Sequence, residues 1–127
     1  MSNEPQQNAA QPWPWPDSLD ALVAAPAYHH LLLENEHVRV LEVRIPPGHL
    51  VPVHTHRWPS VIQTRTTSDY LRRDAEGKVL TDSREPELAA RPVPRAVWTP
   101  PMPPHSVENI GTTEILLYTV ELKHAIP

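Results

Sequence analysis

Seventeen prolines against three glycines in a chain of 127 residues limit what this sequence can fold into. Proline is barred from helix interiors and central strand positions, yet it stiffens loops and strand starts. Many short strands joined by proline-stiffened turns would use it in that way. From residue 28 onward the pattern is that of β-structure. In 37–45, Leu41, Val43 and Ile45 alternate with Glu42 and Arg44, which gives the strand an inside and an outside. Further strands are expected over 28–34, 51–56, 60–66, 68–73, 78–83, 96–99, 105–109 and 114–122. Asp74-Ala75-Glu76-Gly77 makes a hairpin loop with glycine at its left-handed end, and 86–94 is a charged, proline-bearing loop. Short strands with no helix between them predict an all-β chain, an antiparallel barrel or jelly roll.

The N-terminal segment is different. Residues 1–11 are polar and without periodicity, which predicts mobility. Pro12-Trp13-Pro14-Trp15-Pro16 predicts an extended run. Asp17 or Ser18 then caps a short helix over 19–25 that Pro26 stops, with a simple turn as the alternative. The expected division is an extended tail over 1–27 and a barrel over 28–127. Trp13 and Trp15 are costly to leave in water and should pack on the barrel or on a second subunit. The expected assembly is a homodimer in which the tail covers the neighbouring barrel.

Composition removes several classes of function. One domain is expected at this length. The net charge is −4 and the eleven basic residues are scattered, so nothing forms the basic stripe of a nucleic-acid binder. There is no cysteine, so a metal site must use nitrogen and oxygen. No apolar run approaches the ~18–20 residues that span a membrane. The first twenty residues do not read as a signal peptide, and a cytoplasmic protein is the default expectation.

The chemistry is concentrated in histidines. His54 and His56 lie at i and i+2, so on a strand they share a face about 6.5–7 Å apart. That lets two imidazoles converge on one ion at roughly 2.0–2.1 Å each. His105 joins them only if the chain folds back. Gly48 precedes His54 by six positions, Pro100 precedes His105 by five, and Asn109 follows it by four. These Gly-x5-His-x-His and Pro-x4-His-x3-Asn motifs resemble the two sequence motifs of the cupin superfamily of small β-barrels, and the resemblance spans roughly residues 31–123.

The resemblance implies a jelly-roll barrel with one divalent transition metal held by His54, His56 and His105. It also implies that iron(II) oxygenation is the leading chemistry, with zinc, nickel or copper as other ions suited to imidazole. Two departures stand out. The glutamate ligand of the family would fall where this chain has Ser60 and Val61. The second motif's glycine is replaced by Met102. Three neutral imidazoles would leave the ion's charge uncompensated and positions open, which favours a small anionic or oxygen-rich substrate.

By strand parity Ser60 takes the place of the missing glutamate, with Ile62 and Thr64 on its face and Gln63 facing away. Arg57 and Trp58 would lie at one mouth of the barrel, and Met102 and Tyr118 could line the cavity or pack in the core. Asn109 is expected to make structural hydrogen bonds. His29 and His30 are adjacent on a strand and face opposite ways, and neither is expected to be a ligand. His37, His49 and His124 are expected at the surface. The alternative to a metal-dependent enzyme is a non-catalytic module that binds or senses a small ligand, with or without metal.

Overall fold

A computed structural model describes residues 12–124. The mobility expected for residues 1–11 concerns a segment outside that range. Among the described residues nine strands form two sheets, and every strand-to-strand pairing is antiparallel. One sheet has the order β1 (His29–Glu34), β2 (Val38–Ile45), β9 (Ile115–Leu122), β4 (Ser60–Thr66), β7 (Ala96–Thr99). The other runs β3 (Leu50–His56), β8 (Met102–Asn109), β5 (Tyr70–Asp74), β6 (Val79–Asp82). This is the expected jelly roll.

The alternation of β2 sets which face is inside. Leu41, Val43 and Ile45 are buried while Glu42 and Arg44 between them are half-buried. Val43, Ile45 and Ile115 of the first sheet meet Val51 of the second, and Tyr28, Tyr70, Val107 and Leu117 pack against that cluster. The turns follow their residues. The Asn35 side chain accepts hydrogen bonds from the N–H groups of His37 and Val38, an Asx-type turn. Gly77 closes the expected hairpin at φ +90°, where a side chain would be strained. Asn109 is fully buried and donates to the carbonyls of Ile45 and Thr113 while accepting from Gly111 N–H. It ties the end of β2 to the loop between β8 and β9, the structural role expected of it.

The N-terminal segment departs from expectation. A 3-10 turn at Asp17–Leu19 precedes one helical turn, α1 (Ala21–Ala24). The cap is Asp20, whose Oδ2 accepts from Leu22 N–H at 3.1 Å, and not Asp17 or Ser18. Asp20 also forms a parallel β-bridge with Thr55. Ala21 and Ala25 are buried, and Ala25 belongs to the core cluster. Residues 20–25 are thus built into the barrel wall. Trp13 stacks edge-on against Trp15 at 4.8 Å and shares a surface pocket with Trp58 of its own barrel. The loop at 86–94 contains a second helical turn, α2 (Pro86–Ala89). No helix among the described residues is long and apolar enough to cross a membrane.

Candidate metal centre

Prolines aim two of the histidines. Along the β3–β8 ladder Val51 pairs with Val107, His54 with His105, and His56 with Met102. The register therefore slips twice, once beside Pro52–Val53 and once beside Pro103–Pro104. Proline belongs at such bulges because it has no N–H to offer the ladder. The bulge flips the strand's phase, so Val51 and His54 face the same cavity although they are three positions apart. It also frees a carbonyl. His54 Nδ1 lies 2.8 Å from Pro52 O, and His105 Nδ1 lies 2.8 Å from Pro103 O.

His29, at the start of β1, completes the group. One ring nitrogen each of His29, His54 and His56 lie within 4.8 Å of one another. His105 packs on His54 with ring centroids 4.4 Å apart, and lies 5.7 Å from His56. The expectation that His29 is uninvolved is overturned. Adjacent residues do face opposite ways, and the one that faces inward is His29, 4% exposed, whereas His30 is exposed.

Hydrogen bonding fixes the tautomers. Carbonyl and carboxylate oxygens can only accept, so an imidazole nitrogen bound to one must carry its proton there. His29 Nδ1 is 3.0 Å from Ala25 O, and His56 Nδ1 is 3.0 Å from Glu121 Oε2. With the pairs to Pro52 and Pro103, all four rings hold their proton on Nδ1 and leave a lone pair on Nε2. This is the state in which imidazole binds metal, with the second nitrogen tied to an acceptor. Two nitrogens at about 2.1 Å from one ion are at most about 4.2 Å apart, so the rings of His29, His54 and His56, with nitrogens within 4.8 Å, need only a small closing movement. The donor set fits a divalent transition metal.

Burial keeps the rings of His29, His54 and His105 neutral. Desolvation, reinforced by the neighbouring imidazoles, lowers the pKa of His29 and of His54 to about 3. Desolvation likewise lowers His105, to about 4. Protons therefore do not compete for these three lone pairs near neutral pH.

Glu121 is the residue that sequence reasoning missed. It is fully buried, and its Oε1 accepts from Arg39 Nε at 2.6 Å. Arg39 in turn grips both oxygens of Asp20 at 2.9 Å. Burial acts to raise the Asp20 pKa, but the hydrogen bonds and charge of Arg39 outweigh it and hold the carboxyl below its ordinary value.

The histidines sit in the wall of a cavity of about 610 Å³, lined for the most part by apolar residues such as Val43, Ile45, Val51, Val107 and Leu117, with Asp69, Ser83, Arg91 and several threonines also on the wall. Ile62 and Met102 are on its wall as expected, and so is Thr64. Four expected pocket residues are not. Tyr118 lies between the inward Leu117 and Thr119, so it points out, bonding Glu42 and packing under Arg65. Arg57 and Trp58 line the outer pocket with Trp13, because the chain leaves the barrel after His56; Arg39, Arg57 and Lys123 surround the Trp58 ring at 5.0–5.5 Å. Ser60 is buried opposite Glu121 in the β4–β9 ladder and does not reach the cavity. The hydroxyl of Thr119, buried in the wall, has no hydrogen-bond partner among the described residues.

No protein-family model matches the chain, and no curated protein matches it. Solved structures do. A cupin domain from Bordetella pertussis Tohama I is 30% identical over 75% of this chain and 91% of that one, with a TM-score of 0.55. An RmlC-like cupin family protein with a double-stranded β-helix fold from Methanocaldococcus jannaschii is 14% identical over 76% of this chain and 79% of that one, TM-score 0.51. A conserved protein with a double-stranded β-helix domain from Klebsiella pneumoniae is 16% identical over 78% of each chain, TM-score 0.52. The last two share the fold.

Proposed function

The chain belongs to the cupin superfamily, and from that premise we propose that it is a metal-dependent, dioxygenase-like enzyme acting on a small molecule. The observation that carries the reading is the set of four imidazoles, three buried and His56 half-buried, whose Nδ1 atoms are all tied to acceptors beside one cavity. The ligands in this reading are His54, His56 and His105, as the motifs imply, joined by His29. A bound iron(II) would supply redox chemistry and a bound zinc Lewis acidity, while the protein supplies orientation and a dry site.

The cavity suggests the substrate's shape. A volume of about 610 Å³ falls within the range of small-molecule sites. Apolar walls would hold an apolar body, and the histidine end would take an anionic or oxygen-rich head. Val43, Ile45 and Val51 exclude water from the same region.

A second reading, a non-catalytic binding module, is favoured by the same apolar cavity. The two are separated by elemental analysis and oxygen uptake. Untagged protein prepared without chelators should carry close to one transition-metal ion per chain, and His54→Ala should lose most of it. Oxygen consumption with candidate substrates by the iron-loaded protein supports the enzyme. Metal content below about a tenth of an equivalent after reconstitution would sink the metal reading.

A further inference from the structure

Four groups, Arg39 and Glu121 buried and Asp20 and His56 half-buried at its ends, form a continuous row from the N-terminal segment to the histidine cluster. Asp20 caps α1 and grips Arg39, Arg39 holds Glu121, and Glu121 holds His56, over contacts of 2.6–3.0 Å. Arg39 and Glu121 are direct cross-strand partners on the inner face of β2 and β9. We propose that this Asp20–Arg39–Glu121 row is a positioning device for His56, setting its metal-binding tautomer and the charge behind it. The proposal rests on the metal-binding reading above.

His56 is singled out by its acceptor. The other three imidazoles donate to neutral backbone carbonyls, whereas His56 donates to a carboxylate. A carboxylate behind an imidazole makes Nε2 a stronger donor to metal. The row carries two negative charges and one positive, so one net negative charge lies buried behind the cluster. Four neutral ligands give a divalent ion no compensation of their own. Glu121 supplies it from one layer out.

Stability alone is a poor reason for the row. A buried ion pair is often no better than well-packed apolar side chains of similar volume. Its geometry is also specific, because Arg39 spends Nε on one oxygen of Glu121 and leaves the other for His56. Asp20 is in addition bridged to Thr55, the residue before His56. The cap of α1 and the ring of His56 are therefore tied by two routes.

The test uses the full chain in three variants. Glu121→Met removes the acceptor and the charge, Glu121→Gln keeps an acceptor oxygen without the charge, and Asp20→Asn weakens the far end of the row. The His56 tautomer is read by 15N NMR on metal-free protein, and Co²⁺ affinity by competitive titration with the cobalt absorption spectrum. In Glu121→Met the Nδ1–H tautomer should give way to a mixture and Co²⁺ affinity fall about 10–100-fold. Glu121→Gln should keep the tautomer with an intermediate affinity. Asp20→Asn should weaken Co²⁺ several-fold, and it decides the matter if Glu121→Met does not fold. Glu42→Gln, on the outer face, should change neither readout. Folded variants that keep both the wild-type tautomer and wild-type Co²⁺ affinity overturn the row's role. A wild-type chain that takes up no Co²⁺ overturns the metal reading instead, and the tautomers then decide the row's hold on His56.

Discussion

Ser60 and Glu121 are cross-strand partners on the inner face of the barrel, 5% and 0% exposed. The row continues to Arg39 on the next strand, so three adjacent strands place serine, glutamate and arginine side by side. One cation there already answers two carboxylates, those of Glu121 and Asp20.

Ser60→Glu should therefore destabilise the barrel. A carboxylate directly opposite Glu121 repels it, and an unpaired buried charge costs on the order of 3–5 kcal/mol. Chemical denaturation of the metal-free protein should show a loss of that order, with much of it recovered in the double variant Ser60→Glu/Glu121→Gln. Wild-type stability in the single variant would mean that Ser60 does not share the face of Glu121.

The buried histidines predict the acid behaviour of the metal-free chain. His29 and His54 have their pKa lowered to about 3 and His105 to about 4, each by burial first. Unfolded, the same groups protonate near their ordinary value of about 6.5. Between these limits the unfolded chain binds more protons, so stability falls as pH falls. It should be fully present above about pH 6.5 and decline steadily toward pH 3. Denaturation midpoints across pH 4–7 check this, and His54→Ala should make the dependence shallower. A flat profile over that range would contradict the neutral, desolvated state of the cluster.

Assembly is expected through β1. This strand is the edge of the five-stranded sheet, and Leu31, Leu32 and Leu33 on it are 48%, 53% and 50% exposed. Edges that stay single are protected by charge, proline or cover, and these three positions carry no charge or proline. A homodimer pairing along β1 would cover them. Sedimentation at micromolar concentration should show a dimer, and Leu32→Lys with Leu33→Lys should shift it to monomer. A monomeric wild type would refute the pairing.

The strand plan was legible because period-two alternation and turn residues repeat along the chain, and the register of the two motifs brought His54 opposite His105. His29 was harder to see. Its neighbour His30 shares its type, and only the register of β1 on β2, which sets His29 opposite the inward Val43 and His30 opposite Glu42, decides which ring enters. The buried row did leave a trace. Arg39 shares parity with Leu41, Val43 and Ile45, and Glu121 shares it with Ile115, Leu117 and Thr119, so each puts a charge on an otherwise uncharged inner face. Two opposite charges breaking two alternations are a pair only once β2 and β9 are known to be neighbours, which single-strand patterning does not contain. Arg57 and Trp58 were misplaced because the turn after His56 carries the chain outward, a matter of backbone path.

The most direct test of the metal centre is a crystal structure of cobalt- or iron-loaded protein with anomalous scattering recorded at the metal's absorption edge. One strong peak is expected at about 2.0–2.2 Å from the Nε2 atoms of His54 and His56, with His29, His105 or both completing the set. No peak in the cavity, or a peak confined to surface histidines such as the His37–His124 pair with its rings 6.0 Å apart, would contradict it.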